Sequence, residues 1–199
     1  MKIIKVSPQG ICNNSAASTF NSVNNSERLS IVADSALLTH GKPMFVPQWG
    51  IKCMGQWCIA ARISRLGKTI PQRFAWERYC DSMSIAVEFE LKLPHCTSDV
   101  ATNFDGAVCC GEFEGRPIGN APLPIELQVG TDATSTTLTD YADVVGEAIH
   151  TASVFMSVRQ GDILLIPIDR DVCHSFAATP NTHIAGTMGG RKVIEFNIK

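Results

Sequence analysis

Along residues 84–93, large apolar side chains alternate with small or charged ones. Ile85, Val87, Phe89, Leu91 and Leu93 fall on one side, and Ala86, Glu88, Glu90 and Lys92 on the other. A period of two marks a strand with one face on a core. The segment is therefore expected to be a half-buried strand, ended by Pro94. Residues 163–168 are apolar throughout, which suits a strand covered on both faces. Residues 192–198 alternate again, with Ile194, Phe196 and Ile198 against Val193, Glu195 and Asn197. One segment has the helical period instead: Tyr141, Val144, Val145, Ala148, Ile149, Ala152, Phe155 and Met156 recur at three- and four-residue spacing. Thr139 or Asp140 can cap its start, Asp143 and Glu147 sit where a helix N-terminus favours negative charge, and Gly161 closes the segment after it. The expected fold is β-rich mixed α/β with one main helix.

A chain of 199 residues suits one domain with a single sizeable core. It is 45% hydrophobic and 18% charged, a balance that folds rather than staying disordered. A net charge of −2 gives no reason to expect nucleic acid or an anionic membrane surface as partner. No apolar run approaches the roughly 18 residues that span a bilayer, and no apolar stretch near the N-terminus suggests a signal peptide. A cytoplasmic protein is the expectation. Residues 13–30, rich in Asn and Ser, read as a loop or lid. The eight cysteines, Cys12, Cys53, Cys58, Cys80, Cys96, Cys109, Cys110 and Cys173, lie mostly in apolar runs. They read as free, mostly buried thiols, because disulfide frameworks belong to small secreted chains.

A short strand over residues 57–63 runs into Ala61-Arg62-Ile63-Ser64-Arg65-Leu66-Gly67-Lys68. An Arg/aromatic segment follows (Arg73-Phe74-Ala75-Trp76-Glu77-Arg78-Tyr79), then the alternating strand, then Phe104-Asp105-Gly106. With the opening Met1-Lys2-Ile3-Ile4-Lys5-Val6, the Asp34-Ser35-Ala36-Leu37 segment and Gln160-Gly161-Asp162-Ile163-Leu164-Leu165, this order resembles the fumarylacetoacetate hydrolase family, in particular its short single-domain bacterial members. The resemblance covers nearly all of 1–199 as a single domain. It implies a mixed β-sandwich roll around a pocket, and a homodimer.

In that family three carboxylates hold Mg²⁺ or Mn²⁺, and hard ions of this kind want anionic oxygen ligands. Two of them come from a Glu-x-Glu pair, whose positions here carry Gln56 and Cys58. The third aligns with Glu88, the only carboxylate retained. The position of the family's catalytic lysine is Thr102. The Gly-Thr-Pro that binds a substrate carboxylate is Pro167-Ile168-Asp169, with Ile168 in place of the Thr. The His-x-x-Glu pair of the lid aligns with about Asn13 and Ala16, and neither is a general base. A substrate-contacting Gln before the helix has no counterpart in residues 134–139. Glu88 by itself reads as a solvated or hydrogen-bonded face residue.

New chemistry at the cysteines is the weaker reading. Cys58, His95-Cys96, Cys109-Cys110 and Cys173-His174 show no Cys-x2-Cys pairing of the kind that marks zinc sites. A Cys58 nucleophile would need a neighbouring base, and His150 on the helix reads as a satisfied surface or core residue. Trp49, Trp57 and Trp76 read as core or pocket wall, with Trp57 on the strand face opposite Gln56 and Cys58. Arg62, Arg65 and Lys68 read as ordinary solvated surface. The expectation is a diverged, non-catalytic scaffold (a pseudoenzyme) that keeps a pocket for a small molecule and needs no cofactor. The alternative is a metal-dependent hydrolase, decarboxylase or isomerase of a β-dicarbonyl or 2-keto dicarboxylic acid, using Mg or Mn.

Overall fold

The computed structural model describes residues 1–6, 29–39, 41–94, 99–118, 121–168 and 175–199. Thirteen strands and two helices are present among these residues: β1 (Ile3–Val6), β2 (Leu29–Val32), β3 (Leu37–Thr39), β4 (Lys52–Ile63), α1 (Gln72–Tyr79), β5 (Cys80–Lys92), β6 (Val108–Cys110), β7 (Glu114–Gly115), β8 (Leu123–Val129), β9 (Asp132–Leu138), α2 (Tyr141–Phe155), β10 (Ile163–Pro167), β11 (Ser175–Ala177), β12 (His183–Met188) and β13 (Arg191–Asn197). The larger sheet runs β2-β1-β10-β4-β5-β6-β3, with β11 added to β4 and β7 to β5. The pairs β1–β10 and β3–β6 are parallel. The smaller sheet, β13-β12-β8-β9, is antiparallel.

The two sheets meet over an aromatic core. Phe89 of β5 packs edge-on against Phe176 of β11 and Phe196 of β13, at centroid distances of 6.2 Å each, and Trp57 lies 6.1 Å from Phe176. Aromatic pairs prefer this separation, and their buried area dominates such an interface. Gly186 of β12 packs closely against its register partner Ile194 of β13 within the smaller sheet. A Cβ there would come within 2.9 Å of Ile194 Cγ2 and 3.5 Å of the Trp57 ring. α2 buries Tyr141, Val145, Ala148, Ile149 and Ala152, packing on β1, β10 and α1. Asp140 occupies its N-cap position, without a side-chain capping hydrogen bond.

The apolar run at residues 163–167 is buried at every position, as expected of a strand covered on both faces. Several sequence expectations are corrected. The strand before Ser64 has twelve residues, because β4 begins at Lys52. β5 is buried on both faces from Ser82 to Phe89: its small or polar face (Ser84, Ala86, Glu88) is covered as fully as its apolar one, so it is no half-buried strand. The Arg/aromatic segment forms the second helix, α1. Leu29 and Ser30 belong to β2 rather than to a loop, and the rest of 13–30 lies outside the described residues. Trp49 is half exposed and stacks edge-on with Phe104, so it is not core. The expected free, buried thiols hold for Cys53, Cys58, Cys80, Cys109 and Cys110; Cys12, Cys96 and Cys173 lie outside the described residues.

Asp162 ties the start of β10 to β1. It is 2% exposed and accepts the backbone N–H of Lys2 at 2.8 Å and of Arg159 at 2.9 Å, while Lys2 Nζ stands 3.3 Å away. The preceding Gly161 takes φ +85°, the left-handed turn that glycine adopts without strain. Asp162→Ala leaves two backbone donors without their carboxylate. The expected cost is about 2 kcal/mol, a fall of roughly 4–8 °C in Tm for a chain of this size. An unchanged melting curve would remove Asp162 from the determinants of this junction.

Burial also raises the core thiols from the ordinary 9.0, Cys53 to about 11 and Cys80 and Cys110 to about 12. Above pH 9 the unfolded chain therefore loses thiol protons that the folded chain keeps, so stability falls as pH rises. Thermal melts are expected to hold steady below pH 9 and drop progressively from pH 9 to 12. Replacing these three cysteines with Ala should lessen that drop, with the buried Cys58 and Cys109 thiols, raised further, supplying the remainder.

Candidate functional site

Register places one polar cluster on a single face of the larger sheet. In the β4–β5 pair, Gln56 lies opposite Glu88, Cys58 opposite Ala86 and Met54 opposite Glu90. Partners across an antiparallel pair share a face. Lys5 of β1 aligns with Leu165 of β10, which aligns with Ala60 of β4. Ala60 shares its face with Cys58 and Gln56 by the period of two. Lys5 is thus brought across two strands to the same side, and Lys5 Nζ lies 2.6 Å from Glu88 Oε2.

Glu88 is a buried carboxylate, its side chain 1% exposed against 22% for Lys5. It is not the solvated face residue that was one expectation from sequence; its contact with Lys5 is a close ion pair. Burial is the largest single influence on Lys5 and pulls its pKa down. The Glu88 carboxylate, with a smaller contribution from Glu90, outweighs it and leaves Lys5 above its ordinary value. The Cys58 thiol is driven far up, first by burial and then by the Glu88 charge, with Lys5 opposing. Its Sγ lies 3.8 Å from the Gln56 carbonyl oxygen. Cys58 at neutral pH is a protonated thiol, unsuited both to attack and to metal ligation.

A cavity of about 170 Å³ opens over this cluster, lined by Lys5, Met54, Gly55, Gln56, Glu88, Glu90 and Ser175. A wider, solvent-open groove of about 620 Å³ lies between α1 and α2, lined by residues such as Arg73, Trp76, Glu77 and Asp143. The smaller cavity is the better candidate, because it holds the buried ion pair and the positions that the resemblance singles out.

Of those positions, Gln56 and Glu88 line the cavity, and Cys58 lies beside them on the same face. Thr102 does not line it; its hydroxyl donates to the Asp99 carbonyl at 3.4 Å, closing a short 3₁₀ turn. Ile168 packs on the core and donates its N–H to the Trp57 carbonyl at 3.1 Å. Asn13, Ala16 and Asp169 lie outside the described residues. His150 Nδ1 is 2.7 Å from the Ile70 carbonyl, a satisfied residue as expected. Among the described residues, no three His, Cys, Asp or Glu side chains are grouped to hold a metal ion. Trp57 is in the core on the opposite face, 2% exposed. Arg62 pairs with Asp81 at 3.1 Å at the surface.

Sequence reasoning missed Lys5, Glu90 and Ser175. Lys5 carried a signal, being the one charged residue in Ile3-Ile4-Lys5-Val6, a strand otherwise fit for burial. Glu90 had one too, standing two residues from Glu88 on the same face. Ser175 had none.

No family model and no curated protein matches the chain. Solved structures do. Fumarylpyruvate hydrolase from Pseudomonas aeruginosa, in complex with Mn²⁺ and pyruvate, superposes with a TM-score of 0.76 at 14% identity, over 100% of this chain and 89% of that one. 5-Carboxymethyl-2-hydroxymuconate delta-isomerase from Mycobacterium smegmatis gives 0.75 at 13% identity, over 99% and 76%. A Yersinia pestis CO92 protein assigned to the fumarylacetoacetate hydrolase family gives 0.73 at 16% identity, over 100% and 92%. The chain has the fold of the fumarylacetoacetate hydrolase family.

Proposed function

We propose that this chain is a diverged, non-catalytic protein on the fumarylacetoacetate hydrolase scaffold, a homodimer that retains a pocket for a small molecule. The observation that carries this reading is the Lys5–Glu88 pair at 2.6 Å. Mg²⁺ and Mn²⁺ seek several anionic oxygens. Here Gln56 offers a neutral amide, Cys58 a buried protonated thiol, and Glu88 a carboxylate already bound to an ammonium. This donor set does not fit a divalent ion of the kind held by the Pseudomonas hydrolase. Thr102 and Ile168, away from the cavity, add no cation or anion cradle to it. No helix among the described residues is long and apolar enough to cross a membrane.

Calorimetric titration of metal-stripped protein with Mn²⁺ and Mg²⁺, with and without pyruvate or a small dicarboxylate, tests the reading. The expected result is no binding heat up to millimolar metal. Stoichiometric micromolar binding, strengthened by the organic acid, would overturn it in favour of metal-dependent hydrolysis, decarboxylation or isomerisation of a 2-keto or β-dicarbonyl acid.

A further inference from the structure

β9 is the outer strand on one side of the smaller sheet, and its edge is unlike the other sheet edges. The opposite edge, β13, is covered: its Val193 and Asn197 carbonyls accept the N–H of Glu112 at 2.7 Å and of Met44 at 3.0 Å. The outer strands of the larger sheet, β2 and β3, are only four and three residues long. β9 has seven residues, paired with β8 without a break in register. Native sheets blunt long edges with lysine, proline or a bulge, and residues 133–138 contain none of these.

Hydrogen-bond parity identifies which backbone groups of β9 stand free. Gly130 donates to the His183 carbonyl at 2.7 Å and Gly189 to that of Pro124 at 2.8 Å. The even-numbered residues of β8 therefore bond toward β12 and the odd-numbered ones toward β9. Their partners on β9 are Asp132, Thr134, Thr136 and Leu138. Ala133, Ser135 and Thr137 thus turn their N–H and C=O groups outward, and none has a backbone partner among the described residues. All three are exposed.

We propose that β9 is the surface through which two copies of this chain pair, edge to edge and antiparallel about Ser135. The inference rests on the homodimer of the reading above and names its interface. The strand is self-complementary. A two-fold axis at Ser135 sets Ser135 against its own copy and Ala133 against Thr137, so the outward residues of both strands meet as hydrogen-bonded pairs. Thr134 then faces Thr136, a hydroxyl pair of the kind that supports strand pairing. Asp132 falls opposite Leu138 and not opposite another aspartate, so no like charges are opposed. The acid on β8, Glu126, lies opposite Ser135. Its copy stands three strand spacings away, roughly 14 Å, which exceeds the Debye length of about 8 Å at physiological salt.

Sedimentation velocity over a range of micromolar loading concentrations, with hydrogen exchange of the β9 amides, tests the proposal. The expected native species is a dimer in which the amides of Ala133, Ser135 and Thr137 are protected. Ser135→Pro removes the central outward N–H at an edge position, where proline is tolerated, and should weaken the dimer roughly tenfold or more. Ser135→Lys and Ser135→Glu, each alone, oppose like charges at the axis and should weaken it similarly. Mixed in equal amounts, these two variants should pair again. Where Ser135→Pro does not fold, the lysine and glutamate variants decide. A native dimer that the substitutions leave intact, or one in which the three amides exchange freely, overturns the proposal. A native chain that stays monomeric at every concentration sinks the homodimer reading itself, a separate failure seen before any substitution is made.

Discussion

A carboxylate on a strand covered on both faces needs a counter-charge, and much of this site follows from that need. β5 runs through the middle of the larger sheet with its apolar face on the aromatic core and its other face buried as well. Glu88 sits on that second face at 1% side-chain exposure. An isolated buried carboxylate costs many kcal/mol or takes up a proton. A bound metal ion is one solution; an ammonium from another strand of the same sheet is another. This chain has the second, supplied by Lys5, and the register of β1 on β10 and of β10 on β4 delivers it.

The pair is not to be counted as a stabilising feature in the ordinary sense. Buried ion pairs roughly break even against apolar residues of the same shape, whereas removal of one partner typically costs about 3–5 kcal/mol. Lys5 keeps some contact with solvent, which places the cost here toward the lower end. Both Glu88 oxygens are shut off from solvent, and the Lys5 ammonium is the charge that stands against them.

The legible part of the fold was its periodicity. The apolar run at 163–167 and the helical spacing from Tyr141 onward describe burial directly, and both elements form where that spacing puts them. The motif order also sufficed to identify the fold, at a level of identity where overall similarity is faint. The burial of β5 on both faces was not legible. Alternation reports which residues are large and apolar, while Ser84, Ala86 and Glu88 are buried by what packs over them, a tertiary fact. α1 was obscured by its charged, aromatic composition; its arginines spread over Phe74, 4.5–4.6 Å from the ring centroid. At the site, Gln56, Cys58 and Glu88 were found because the resemblance singles out those positions, and the register of one strand pair brings them to a common face. Lys5 was not, because its partner is 83 residues away in sequence and the two meet only through two intervening strands.

Scaffold and site place different demands on the sequence, for a physical reason. The scaffold is held by many contacts: the Phe89–Phe176–Phe196 cluster, the long β4–β5 ladder, and the close approach at Gly186. Each tolerates only residues of similar shape. The site is held by a charge requirement, which chemically different groups can meet equally well. With the Lys5 ammonium against Glu88, a neutral amide at position 56 and a buried thiol at position 58 are compatible with the fold. The fold thus constrains the place of a pocket without constraining its chemistry. The buried charge at Glu88 and its partner say more about what this molecule does than the architecture around them.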